Sequence, residues 1–294
     1  MIGLELDDAF ATAVRIDDHG VVQAQARVEA AGDLVTATAN ALARVEVTGS
    51  DPLGLAATNP DSPAIAPSVA SLASRLAGPF KSTGAVMSGT AAAAAEAWTG
   101  AARGVQDVVF FGVAQHATGG ILRGGVAIAG TRGRAGAVAW LSLNPVERED
   151  YRKTGCLEAE VAAAGLVRRL IWRIKAGDRS RVQDIVKDDL SAITVEHLLD
   201  AARAGDGVSF SVVRDTAKYL GMAAANLVVV ADPEMLVLGG IMASAADLLL
   251  EPLRVEMARR LPKPMMDALK IETAVLGPDA AAIGAARLVT AART

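Results

Sequence analysis

The order of elements along this chain constrains its fold more than any other feature. Residues 2–28 alternate apolar and polar side chains around "DDHG", so "IGLEL", "AFATAVRI" and "VVQAQARVE" read as three successive β-strands with a tight hairpin. A helical stretch "AGDLVTATANALARV" follows. Then come the short strand "PLGLAA", the Pro- and Ser-rich loop "TNPDSPAIAP", the helix "SVASLASRLAG", and the strand "TGAVM" leading into the helix "SGTAAAAAEAW". A second round opens at the buried strand "DVVFFGVA". It passes through the Gly-rich, strand-paired region "HATGGILRGGVAIAGTRGRAGAVAW" and becomes helical from residue 155, with "GCLEAEVAAAGLVRRLIWRIK" read as one helical stretch. Two late strands, "EMLVLGG" and "LKIETAVL", alternate with helices up to "DAAAIGAARLVTAA". A three-strand opening followed by helix–strand alternation, met twice, predicts two related α/β lobes. The expected division is an N-terminal lobe over 1–103 and a C-terminal lobe over 104–294, with the last helix a candidate to pack back on the first lobe.

Each lobe needs its own core, and 294 residues with 52% hydrophobic content suffice for two. Aromatic residues are only 3%, so those cores must be built from Ala, Val and Leu. The formal net charge of −4 gives no electrostatic footprint for nucleic acid, and "LVRRLIWRIKAGDRSR" and "ARRLPK" read as solvated helix faces. A single cysteine, Cys156, excludes an intrachain disulfide and fits a reducing compartment. The N-terminus opens on a strand without a basic n-region or a signal h-region, and no apolar run reaches spanning length. The expectation is a cytoplasmic protein with neither membrane nor nucleic acid as partner.

The stretches "GCLEAEVAAAG", "ARAGD", "YLGMAAANLVVVADPEMLVLGG" and "LGPDAAAIGAARL" occur in an order and spacing that resemble the ROK family (repressors, open reading frames, sugar kinases). The resemblance covers nearly the whole chain. It implies a two-lobed actin-like ATPase, ribonuclease H-like fold, with nucleotide held by phosphate loops of both lobes, sugar at the base of the cleft, and commonly a homodimer. Fold does not settle chemistry, which lives in particular residues.

Carried over residue by residue, the family's site is altered. The catalytic Asp of a pattern like N-D-A-N-A-A-A-x-x-E falls on Ser88, and its second Asn on Thr90. A serine hydroxyl cannot accept a proton at neutral pH, and "SGT" also reads simply as a helix N-cap. The closing Glu falls on Glu96, read as a helix-surface or structural residue. The first phosphate loop, D-x-G-G-T in the family, becomes "ELDDA", which puts Glu5, Asp7 and Asp8 toward a polyphosphate. Those charges have the wrong sign for phosphate, and they are oxygen ligands for Mg²⁺ if a metal binds. A hydrated acidic turn is the plainer reading. The second phosphate loop corresponds to "AQHATGG", where Gly119 and Gly120 remain while Gln115, His116 and Thr118 add side chains. Gly239 and Gly240 of "LVLGG" would let backbone approach an adenosine. Asn59 is a weak sugar-binding candidate. The zinc module is not retained: Ala137, Trp140, Glu149 and Tyr151 replace residues of the family's G-E-x-G-H and cysteine motifs and leave Cys156 alone, with Trp140 a candidate to fill the vacated volume.

These substitutions favour a catalytically degenerate, sugar-kinase-like protein that senses a small sugar or contacts a protein, with no confirmed cofactor. The alternative is an active ATP-dependent kinase of a hexose or N-acetylhexosamine that uses ATP and Mg²⁺, with Glu5 or Asp8 as a relocated base. A ROK transcriptional repressor would carry a winged helix-turn-helix ahead of the sugar domain, and the first strand at residue 2 leaves no room for one.

Overall fold

The structure is a computed structural model that describes residues 1–48 and 51–291. Among the described residues ten strands form two five-stranded sheets. The first contains β1 (Ile2–Leu6), β2 (Phe10–Ile16), β3 (Val22–Glu29), β4 (Leu53–Ala57) and β5 (Val86–Met87). The second contains β6 (Val108–Val113), β7 (Ala117–Arg123), β8 (Val126–Ala127), β9 (Met235–Gly240) and β10 (Lys270–Thr273). The spatial orders are β3-β2-β1-β4-β5 and β8-β7-β6-β9-β10, so the two sheets have one topology. In each, the first three strands form an antiparallel meander and two parallel strands extend the other side. The repeat expected from the sequence is thus a repeat of sheet order.

Local chemistry accounts for the opening meander. The "DDHG" turn is closed by Asp17 Oδ1, which accepts from His19 N and Val21 N at 2.9 Å each, while Gly20 adopts φ 83°. The alternation buries Ile2, Leu4 and Leu6 completely. Helix α1 (Leu34–Arg44) follows β3 and is capped by Asp33, whose Oδ1 accepts from Thr36 N at 3.0 Å.

The scarcity of aromatics is explained by how closely backbones approach. Helix α2 (Ser88–Thr99) buries every residue from Ser88 to Glu96. The last helix, α7 (Ala280–Ala291), lies across β1, β4 and α2. A Cβ on Gly3 would fall 1.8 Å from Ala282 O, one on Gly54 2.0 Å from Ala285 O, and one on Gly284 1.7 Å from Ala91 O. Side chains larger than Ala would hold these elements apart. Glu96 is fully buried rather than on a surface. Its Oε1 accepts from Val275 N (3.1 Å) and Leu276 N (3.0 Å), and its Oε2 accepts from Ala101 N (2.7 Å). It is a structural clamp joining α2 to a segment about 180 residues away in the chain.

The second core packs Val109, Phe111, Leu236 and Leu238 of its sheet against helices α3 (Cys156–Val161), α4 (Ala163–Lys175), α5 (Gly207–Ala231) and α6 (Ala246–Ala258). The helix expected from residue 155 breaks between α3 and α4. Ala162 is extended (ψ 162°), and the Ala163 amide donates to Ala114 O at 2.9 Å, in the turn between β6 and β7. That detour seats α3 beside the turn. Among the described residues no helix is long and apolar enough to cross a membrane.

Candidate ligand-binding cleft

A cleft of about 630 Å³ opens between the sheets, lined among others by Glu5, Thr58, Ser88, Phe110, His116 and Gly240. Two β-hairpin turns that hold equivalent places in their sheets face it, Asp7–Ala9 after β1 and Ala114–His116 after β6. Backbone amides of such turns can cradle phosphate when nothing else occupies them.

In the first turn something else does. Asp7 Oδ1 accepts from Ala9 N at 2.7 Å and from Phe10 N at 2.6 Å. An incoming phosphate would have to displace a covalently tethered carboxylate from those donors and then tolerate its charge. In the second turn the carboxylate comes from α3. Glu158 Oε2 accepts from Ala117 N at 2.8 Å, and its Oε1 lies 3.2 Å from His116 Nδ1. His116 Nε2 in turn stands 3.8 Å from Oδ2 of the exposed Asp8, an ion pair that links the two turns across the cleft. Burial pushes the imidazolium of His116 down, but Glu158, with Asp8 and Asp7 adding to it, more than compensates, and its pKa stands above the ordinary value. The Ala9, Phe10 and Ala117 amides of the two turns thus already have carboxylate acceptors within the chain. No group of three or more His, Cys, Asp or Glu side chains able to hold a metal ion occurs among the described residues.

Glu5 and Ser88 meet at the base of the cleft, one from β1 and one from the start of α2. Burial pushes the Glu5 carboxyl up to about 7, and Asp7 and Asp279 push in the same direction, while the Ser88 hydroxyl and Arg27 favour its charged form. The Ser88 contact is loose. Ser88 Oγ is buried and makes no hydrogen bond of normal geometry, and Thr58 Oγ1, also lining the cleft, is in the same state. Both hydroxyls line the cleft that Glu5 also lines, as donors and acceptors open to a partner.

The remaining sequence candidates fall in several places. Gly119 and Gly120 lie in strand β7 rather than in a loop, paired with Phe111 and Phe110. A Cβ on Gly120 would fall 2.1 Å from Gly89 O, so this glycine lets the sheet touch α2. Gly239 and Gly240 do line the cleft. A Cβ on Gly239 would meet the Phe110 ring at 2.6 Å, and Gly240 (φ 65°) would meet Val113 O at 1.9 Å. Thr90 is fully buried and donates to Ala135 O at 3.2 Å, away from the cleft lining. Asn59 is exposed, and its Oδ1 accepts from Asp61 N at 3.3 Å in a local turn, which satisfies it outside the cleft. Trp140 is 50% exposed and fills no vacated core. In the former zinc region the hydroxyl of Tyr151 donates to Glu160 Oε1 at 2.6 Å, and Arg148 Nη1 reaches the same oxygen at 2.9 Å. A buried hydrogen-bonded network there joins the elements. Glu158, Thr58 and Arg27 escaped sequence reasoning: Thr58 and Arg27 line the cleft from the end of β4 and from β3, and Glu158, although it lies within the family-like stretch "GCLEAEVAAAG", acts through its bond to the turn after β6.

This two-lobed actin-like architecture with a cleft between repeated sheets is that of the ROK sugar kinases. The ROK family model matches residues 55–292, and the chain belongs to the ROK family. Over 201 residues, 67% of this chain and 60% of the relative, it is 33% identical to a glucokinase of Halalkalibacterium halodurans. Over 159 residues, 54% of this chain and 38% of the relative, it is 28% identical to an N-acetylglucosamine repressor of Escherichia coli O157:H7. The matches thus span three fifths or less of those relatives. A crystal structure of a ROK family glucokinase from Streptomyces griseus, in complex with glucose and AMPPNP, has the same fold at a TM-score of 0.80 and 23% identity, covering 98% of each chain.

Proposed function

We propose that this chain is a sugar-kinase-like binding protein that receives a small polyol in its cleft without transferring phosphate to it. The observation that carries this reading is the Asp7 carboxylate seated on the amides of Ala9 and Phe10, where a phosphate oxygen would have to go. Ser88, at the family's catalytic position, supports it, since a hydroxyl cannot act as general base at neutral pH. A polyol as ligand is supported by relatives named as a glucokinase and an N-acetylglucosamine repressor and by the glucose in the Streptomyces griseus structure. A coupled assay with Mg-ATP across glucose, N-acetylglucosamine and N-acetylmannosamine, paired with calorimetric titration of Mg-ATP, tests it. The expected result is no turnover above background and no heat of nucleotide binding. Turnover on the order of 1–10 s⁻¹ would overturn the reading.

One observation favours the second reading, an active kinase. A carboxyl with a pKa of about 7, as at Glu5, lies in the range suited to a general base. If turnover appears and Glu5→Gln abolishes it while binding persists, Glu5 is that base.

A further inference from the structure

The turns that face the cleft are tied to each other as well as to their own carboxylates. His116 presents Nδ1 to Glu158 Oε1 at 3.2 Å and Nε2 to Asp8 Oδ2 at 3.8 Å, so a carboxylate stands at each ring nitrogen. A neutral imidazole has one donor and one acceptor, and its acceptor nitrogen would face an anion, whereas an imidazolium donates from both. The surroundings therefore suit the charged ring. Glu158 is anchored on the side of the second sheet by the Ala117 amide at 2.8 Å, and Asp8 lies in the turn between β1 and β2 of the first.

The groups that bear on this ring share one sign. Glu158 acts from α3 and Asp8 and Asp7 from the turn after β1. Glu5 lines the same cleft, with the exposed Arg27 stacked on the Phe10 ring at 4.1 Å, and the lining residues between 239 and 244 carry no charge. With His116 protonated, a cation lies between two acidic walls. With His116 neutral, Asp7 and Asp8 face Glu158 across the cleft and repel it. Other ties between the sheets do not depend on this proton. Arg134 Nε and Nη2 donate to Asp61 Oδ2 and Oδ1 at 2.7 Å each, Arg134 holds the Asp61 carboxyl below its ordinary pKa, and an arginine stays charged throughout. Helix α2 also packs on β7. These contacts leave the two turns as the part able to separate.

We propose that His116 is a proton-operated latch, its imidazolium drawing the turns after β1 and β6 together across the cleft and its neutral ring letting them part. The latch goes beyond the binding reading, since it operates whether the cleft only holds a ligand or also phosphorylates it. The pKa of His116 is raised in the latched structure, so the latched state holds the proton more tightly. Latching is then fully favoured below the ordinary imidazole value and is lost as pH rises through the raised one.

Two measurements on the full chain test it. Proton NMR follows the ring signals of the three histidines, His19, His116 and His197, with His116→Gln identifying its own. Small-angle X-ray scattering gives the radius of gyration at about pH 5.5 and about pH 8.5, on either side of the imidazole range. Asp8→Ala, at a half-exposed position, is expected to lower the His116 pKa, and the parent is expected to expand between the lower and the higher pH. Asp8→Ala should already be expanded at the lower pH, and His116→Lys, which keeps a cation, should stay compact at the higher. Burial of Glu5 pulls in the same direction as the latch, so Glu5→Gln should lessen the expansion without abolishing it. A His116 pKa unmoved by Asp8→Ala overturns the proposal, and so does a parent radius that does not change with pH. An Asp8→Ala chain as compact as the parent at the lower pH, a His116→Lys chain that expands like the parent, or an expansion abolished by Glu5→Gln overturns it as well.

Discussion

The two hairpin turns that face the cleft occupy equivalent places in sheets of the same strand order, yet their amides are closed in different ways. After β1 the closing carboxylate is Asp7, which bonds to amides two and three residues further on. After β6 it is Glu158, brought from 41 residues away by a helix that breaks to reach the turn. One closure is a property of a few adjacent residues and the other of the folded lobe. A duplicated frame therefore conserves where donors point without fixing what accepts from them.

The strongest way to break the comparison is to separate packing from ligand contact at β7. Gly120→Ala places a Cβ 2.1 Å from Gly89 O and should cost about 3–5 kcal/mol, read by urea denaturation. A stable variant would return Gly120 to the ranks of ligand-facing glycines. Glu158→Ala should cost about 3 kcal/mol, since it orphans the Ala117 amide and leaves a mostly buried His116 without its nearest carboxylate. Glu5 sharpens the comparison through pH. Its folded pKa is raised from 4.5 to about 7, so the folded state holds the proton more tightly and stability falls as pH rises across that window. Glu5→Gln lacks the penalty. Relative to the parent it should match at pH 4 and gain about 1–2 kcal/mol at pH 8, a figure discounted for water in the cleft. The smallest effect belongs to the local closure. Asp7→Ala should cost about 1 kcal/mol, the scale of a lost turn or cap hydrogen bond, and chemical denaturation of the two alanine variants side by side measures the gap. An Asp7 variant less stable than the Glu158 variant would invert the ranking of local and long-range closure.

Much of the fold was legible because its signals are local. The alternation of "IGLEL" and "AFATAVRI", the Asp17 turn and the Asp33 cap act within a few residues, and they return as β1, β2 and α1. The acidic turn at residues 7 and 8 was visible too, though only as misplaced charge. That one of its carboxylates satisfies the turn's own amides depends on backbone geometry, which a sequence does not print. The break at Ala162 was not legible, because what competes with the helix there is Ala114 O, a long-range acceptor. Glu96 read as a surface or structural residue of a helix since its three donors come from Ala101 and from residues 275 and 276. The convergence of Glu5, Ser88 and Thr58 on one cleft belongs to the same class. It arises where β1, α2 and the end of β4 converge, and no spacing along the chain encodes it.

The seat of the terminal helix on β1 and β4 has a consequence for biosynthesis. At about 5–20 residues per second, the segment that Glu96 binds leaves the ribosome roughly 10–40 s after Glu96 itself, given their separation of 179 residues. Until then one face of the first sheet and the carboxylate of Glu96 lack their covering, so the nascent N-terminal half waits, incompletely assembled, while the other half is being made.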